Sequence, residues 1–183
     1  FEGYLKPSEN NAWYPMEGND VQSVEQTWWW KFAQRYGCHL IQNNSFSGST
    51  IAYNGYSEGS DDTKAFSFCK RVENLDNADM YIVFGGTNDA WVALDTGDDT
   101  LGDFKYSDIT EEDKEYMRPA LAYVLNYLQH RHVGAKILFV ISPVVNETYK
   151  SSMRTICEHF NVQYVEVPKI TTMKSHPDIN GME

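Results

Sequence analysis

The chain's 183 residues carry 15 Lys and Arg against 26 Asp and Glu, a formal net charge of −11, and 42% of them are hydrophobic. That is enough apolar content for one domain with a sizeable core, and no repeat or Pro/Ser-rich linker divides it. The acidic balance argues against nucleic acid or an anionic membrane surface as partner, since both demand clustered Lys and Arg. No apolar run approaches a membrane span, and no signal peptide is visible.

Taken in order, residues 1–20 carry Gly3, Pro7, Asn10, Asn11, Pro15 and Gly18 and read as a long loop. A helix is expected over 21–36, opened by Asn19-Asp20 or by Ser23 with Gln26 three later, and stopped by Gly37. It holds Trp28-Trp29-Trp30, which cannot all face one side. A short strand over 38–43 empties into Asn44-Ser-Phe-Ser-Gly-Ser-Thr50, and 62–74 is expected as helix. Residues 80–85 form the central strand, an apolar run ending at Gly85-Gly86. Then come a Gly/Asp-rich loop over 90–110 in the position of a lid, and a helix over 110–132 with a capping-box opening, kinked or split by Pro119. A buried strand over 135–142, a helix over 146–160, a strand over 162–167 and a loop over 170–183 complete the pattern.

This alternation predicts an α/β fold with a doubly wound parallel sheet and helices on both faces. In the flavodoxin-like order 2-1-3-4-5 the first strand lies inside the sheet, and the chain opens instead on a loop. Omitting an interior strand would leave two rows of buried, unpaired backbone groups, so a strand upstream of Phe1 is expected, and a closing helix beyond Glu183.

Ligands of such sheets bind beyond the carboxyl ends of the strands. Two strand ends meet there, one followed by Gly48 and the other by Asn88 and Asp89. Acyl transfer develops negative charge on a carbonyl oxygen, and a backbone N–H from Gly48 with the side-chain amide of Asn88 could stabilise it. His176, after the last strand, stands at the same edge as a general base. Asp89, which could also hold Asn88 from below through backbone hydrogen bonds, and the aromatic faces of Trp91 and Tyr53 are placed as substrate-binding residues, with Tyr56 near them. Ser45, Ser47 and Ser49 flank Gly48 without meeting a Gly-x-Ser-x-Gly elbow, and read as loop hydroxyls. Cys38, Cys69 and Cys157 show no CxxC spacing and read as small core residues, not a disulfide set or a zinc site. Asp95-Thr-Gly-Asp-Asp99 lacks the spacing of a calcium loop, so neither metal nor cofactor is expected.

Together these residues resemble the SGNH hydrolases, the GDSL-like esterase and lipase superfamily. Residues 44–50 match its second block around Gly48, Gly86-Thr-Asn-Asp89 matches its third without a gap, and His176-Pro with Gly181-Met matches the end of its fourth. The resemblance spans 1–183 as one domain and implies a flavodoxin-like three-layer αβα fold. It also implies hydrolysis of a small acyl ester through a serine acyl-enzyme, with an acetylated carbohydrate suggested by the aromatic-rich loops. Gly48 and Asn88 would form the oxyanion hole and His176 would be the base. Two departures stand out. No Gly-Asp-Ser nucleophile motif occurs in the chain, which places the serine upstream of Phe1, on the strand the sheet demands. Met173 stands three before His176, where the pattern has Asp, so a backbone carbonyl or another carboxylate such as Asp178 would orient the imidazole, or the enzyme would run as a Ser–His dyad. The alternative is a non-catalytic binding module with a degraded triad. A nucleotide binder is disfavoured, because no Gly-rich phosphate loop or basic residue stands at a strand end.

Overall fold

The computed structural model describes residues 14, 17–55, 63–97, 99–174 and 176–183. Most of the opening loop, Tyr56 with the acidic stretch after it, and Ser175 lie outside the described residues. The chain divides into two compact units, one of residues Gly48–Val167 and one of Phe1–Ser47 with Pro168–Glu183.

The larger unit is built on a parallel sheet of β1 (Met80–Phe84), β2 (Lys136–Ile141) and β3 (Gln163–Glu166), in the order β1-β2-β3. Val83 stands opposite Phe139 and Ile141 opposite Glu166. β2 passes from an exposed Lys136 to a buried Val140 and Ile141, as a central strand does when its carboxyl end runs into the core. Helix α5 (Met117–Arg131) presents Leu121, Leu125 and Leu128, none with any exposure, and α6 (Glu147–His159) adds Met153 and Ile156. Each such side chain contributes roughly 1.5–3 kcal/mol on leaving water.

Local chemistry corrects several expected boundaries. The helix expected over 62–74 breaks at Ser67, whose extended backbone and hydroxyl cap a second short helix by accepting the Lys70 amide. Two short helices result, α2 (Thr63–Phe66) and α3 (Phe68–Arg71). The loop expected from residue 90 is helical at its start, as α4 (Thr87–Thr96). Gly86, left-handed at φ 91°, begins that helix and Gly97 ends it, so the disruptive Gly/Asp composition starts only at 97. Thr110 and Asp113 do form the reciprocal capping pair, though around a single 3₁₀ turn. The chain then re-extends at Tyr116, and Pro119 falls in the first turn of α5, where its missing N–H costs nothing.

In the smaller unit, a 3₁₀ turn (Val24–Gln26) precedes α1 (Trp28–Tyr36), because Thr27 is extended between them. Gly37 ends α1 in the left-handed region, as expected. The strand expected over 38–43 is not formed: only Asn43 makes an isolated bridge, and Cys38 and Ile41 are exposed. A strand persists only beside a neighbour that takes up its backbone groups. Cys38 therefore departs from its expected place in a core, while Cys69 and Cys157 are buried. The terminal loop contains structure of its own, an antiparallel ribbon of β4 (Thr172–Met173) and β5 (His176–Pro177) followed by a 3₁₀ turn (Asn180–Met182).

Candidate active site

In the larger unit the end of β1 delivers a close approach. A Cβ on Gly85 would stand 2.5 Å from the Phe68 ring, and one on Gly86 2.0 Å from Met153 Cε, with Ile51 next in both cases. Glycine lets this turn press onto the segment that follows Gly48. Asn88 and Asp89 then occupy the first turn of α4.

Asn88 Nδ2 donates to the Ser49 carbonyl at 2.8 Å, which sets the asparagine amide beside Gly48. An amide nitrogen carries two N–H groups, and this bond uses one. Gly48 is exposed and left-handed at φ 78°, with open space where a Cβ would stand. Its own N–H meets no acceptor among the described residues. Asn88 is thus tied to the residue that follows Gly48.

Asp89 faces the other way. It has no exposure, and its carboxylate accepts from the Ile51 amide at 2.9 and 3.1 Å and the Ala52 amide at 3.1 Å. Burial pushes its carboxyl up to about 6, against the pull of those amides, which favour the ionised form. In place of the substrate contact expected of it, Asp89 supports the wall. Tyr53 is likewise enclosed at 1% exposure, its hydroxyl donating to Glu111 and its ring beside Lys64 and Lys114. Both depart from the sequence reading for one reason: the segment containing Tyr53 is folded inward by the carboxylate of Asp89. Trp91 is half-buried on α4.

In the smaller unit His176 opens β5 directly opposite Met173. Its Nδ1 lies 3.3 Å from the Lys174 carbonyl, and burial lowers its pKa, so the neutral imidazole predominates at pH 7. Asp178 is engaged by the Thr171 hydroxyl at 2.5 Å and the Gly181 amide at 2.8 Å. The ribbon is stapled by Asn19, 4% exposed, whose Nδ2 donates to Met173 and Pro177 carbonyls while its Oδ1 accepts the Val21 amide. The Tyr14 hydroxyl also donates to the Pro177 carbonyl.

The family model for GDSL-like lipases and acylhydrolases matches residues 1–183. The chain belongs to that family. Two crystal structures agree: one described as a GDSL-like lipase from Bacteroides ovatus has 40% identity and a TM-score of 0.90, covering 100% of this chain and 86% of the other. Another so described, from Bacteroides uniformis, has 35% identity and a TM-score of 0.89, covering 100% and 84%. A carbohydrate esterase, whose active site is described as displaying divergent catalytic and non-catalytic binding functions, shares the fold at 16% identity and a TM-score of 0.60, over 88% of this chain and 54% of that one. No curated protein matches. This GDSL-like chain is thus an α/β member of a family of ester hydrolases with bacterial relatives.

Two buried polar residues, one in each unit, carry no signal in the sequence. Arg71 is 7% exposed and reaches Ser49, next to Gly48, but a basic residue in a short helix gives no signal of burial. Asn19 was read as a helix cap, and its partners lie more than 150 residues away.

Proposed function

We propose that this GDSL-like protein is a serine esterase acting on small acyl esters, with acetylated carbohydrate as the substrate class, on one domain spanning 1–183. The single observation that carries the reading is the Asn88–Ser49 bond, which ties a side-chain amide to the residue next to Gly48. A backbone N–H and a side-chain amide are donors of the kind that a developing oxyanion requires.

In the proposed reaction a serine hydroxyl attacks the ester carbonyl carbon. His176 Nε2 takes its proton, with Nδ1–H directed at the Lys174 carbonyl in the place of the usual carboxylate. The carbonyl oxygen becomes an anion held by Gly48 N–H and Asn88 Nδ2. Collapse breaks the ester bond, and the leaving alcohol takes the proton from His176. Water then attacks the acyl-enzyme by the same path, releasing the acid. The second reading, a non-catalytic binding module, is favoured by Met173, which puts a thioether where the family pattern has a carboxylate.

A chromogenic acetyl ester, offered to the full-length protein and to Asn88→Ala and His176→Ala, tests this. Turnover that both substitutions suppress is expected. No turnover, or turnover that neither changes, sinks the esterase reading.

A further inference from the structure

We propose that Asp89 and Arg71 are positioning residues for this reaction, an anion and a cation that grip residues 49–52 at opposite ends and thereby hold the Gly48 amide in register with Asn88. The inference rests on reading Gly48 and Asn88 as the oxyanion pocket.

At one end Arg71 Nη2 donates to Ser49 Oγ at 3.0 Å, while Nε donates to the Phe66 carbonyl at 2.8 Å and the guanidinium lies 5.1 Å from the Phe68 ring centre. At the other end the Asp89 carboxylate takes the consecutive amides of Ile51 and Ala52. Both charges are buried, a placement that persists only where the charge is met by fixed partners. Here the two amides that meet Asp89 and the hydroxyl that meets Arg71 lie in the four residues that follow Gly48. Ser49 couples the two donors: its hydroxyl meets Arg71 and its carbonyl accepts from Asn88. Asp89 is also the next residue after Asn88 on α4, so the element that carries one donor grips the segment that carries the other. A small displacement of residues 49–52 would therefore disturb both donors at once.

The test uses the full-length protein and the chromogenic acetyl ester, with Asp89→Asn, Arg71→Met and Arg71→Lys, each scored per folded molecule. Asp89→Asn and Arg71→Met are expected to lower kcat by about 10²-fold with KM little changed, the effect of misplacing donors that act in the transition state. Arg71→Lys recovers part of that loss, because an ammonium keeps one donor for Ser49. Amide hydrogen exchange at Ile51 and Ala52 accelerates in Asp89→Asn. A kcat unchanged in both Asp89→Asn and Arg71→Met overturns the proposal, since a merely structural role would reduce the folded fraction and leave kcat alone. Should Asp89→Asn fail to fold, Arg71→Met and Ser49→Ala read the other end of the grip, and unchanged kcat in both overturns it equally. A parent that turns over no ester sinks the esterase reading instead. Exchange then decides the grip itself: faster exchange in Asp89→Asn upholds it and unchanged exchange sinks it.

Discussion

At the scale of single residues, the proposed mechanism gives the two amides and the imidazole different burdens. Asn88 is asked to donate only as charge develops, so Asn88→Ala is expected to reduce kcat by about 10²–10³-fold with a smaller effect on KM, read from steady-state kinetics. His176 must be neutral to accept a proton. Its pKa is held below the ordinary 6.5 by burial, so kcat/KM should rise with pH through a limb below 6.5 and stay level above it. An acid limb above 6.5 would show that another group governs the step. Gly86-Thr-Asn-Asp89 and His176-Pro single these residues out in the sequence because they are local patterns. Asp89 and Tyr53 were misplaced because nothing local distinguishes a side chain that turns inward to meet amides 37 and 38 residues away.

At the scale of elements, the ribbon that carries His176 is held from outside. Asn19→Ala would strip an acceptor from the Val21 amide and a donor from two carbonyls of the ribbon. A loss of about 1–3 kcal/mol in urea unfolding is expected, together with a fall in kcat; full activity in a destabilised variant would show that the staple serves folding alone. The glycine turn after β1 is less forgiving. At Gly86 a methyl group meets Met153 Cε at 2.0 Å on a left-handed backbone. Gly86→Ala should therefore destabilise by about 2–4 kcal/mol, combining the backbone penalty with overpacking of the core. The sheet strands and α6 were read closely from sequence, because continuous apolar runs and an Asn cap are local signals. The strand expected at 38–43 failed because pairing is decided by a neighbour, and the break at Ser67 by a hydroxyl turned onto its own backbone.

At the scale of the whole molecule, buried and exposed carboxyls pull stability in opposite directions. Asp89 sits at about 6 in the folded protein against an ordinary 3.8, so its contribution is full below 3.8 and is lost as pH rises through 6. Asp113, held at about 2 by Lys105 and Thr110, contributes above its ordinary value and loses that contribution as pH falls. Unfolding of the parent and of Asp89→Asn across pH 4 to 7 isolates the first effect. The parent should lose on the order of 2–3 kcal/mol relative to the variant over that range, and parallel curves would refute it.

The rim of the sheet has a colloidal consequence. β3 is four residues long and pairs with β2 alone among the described residues, leaving Val165 45% exposed beside it. Bare edges recruit further strands, and this one is guarded by Glu166, tied through Arg154 to Glu147. Near the isoelectric point of about 4.8 the mutual repulsion of whole molecules vanishes, and only local charges such as that bridged trio then stand against neighbouring copies pairing at this edge. Storage buffers well above pH 5 follow directly from the shape of one short strand.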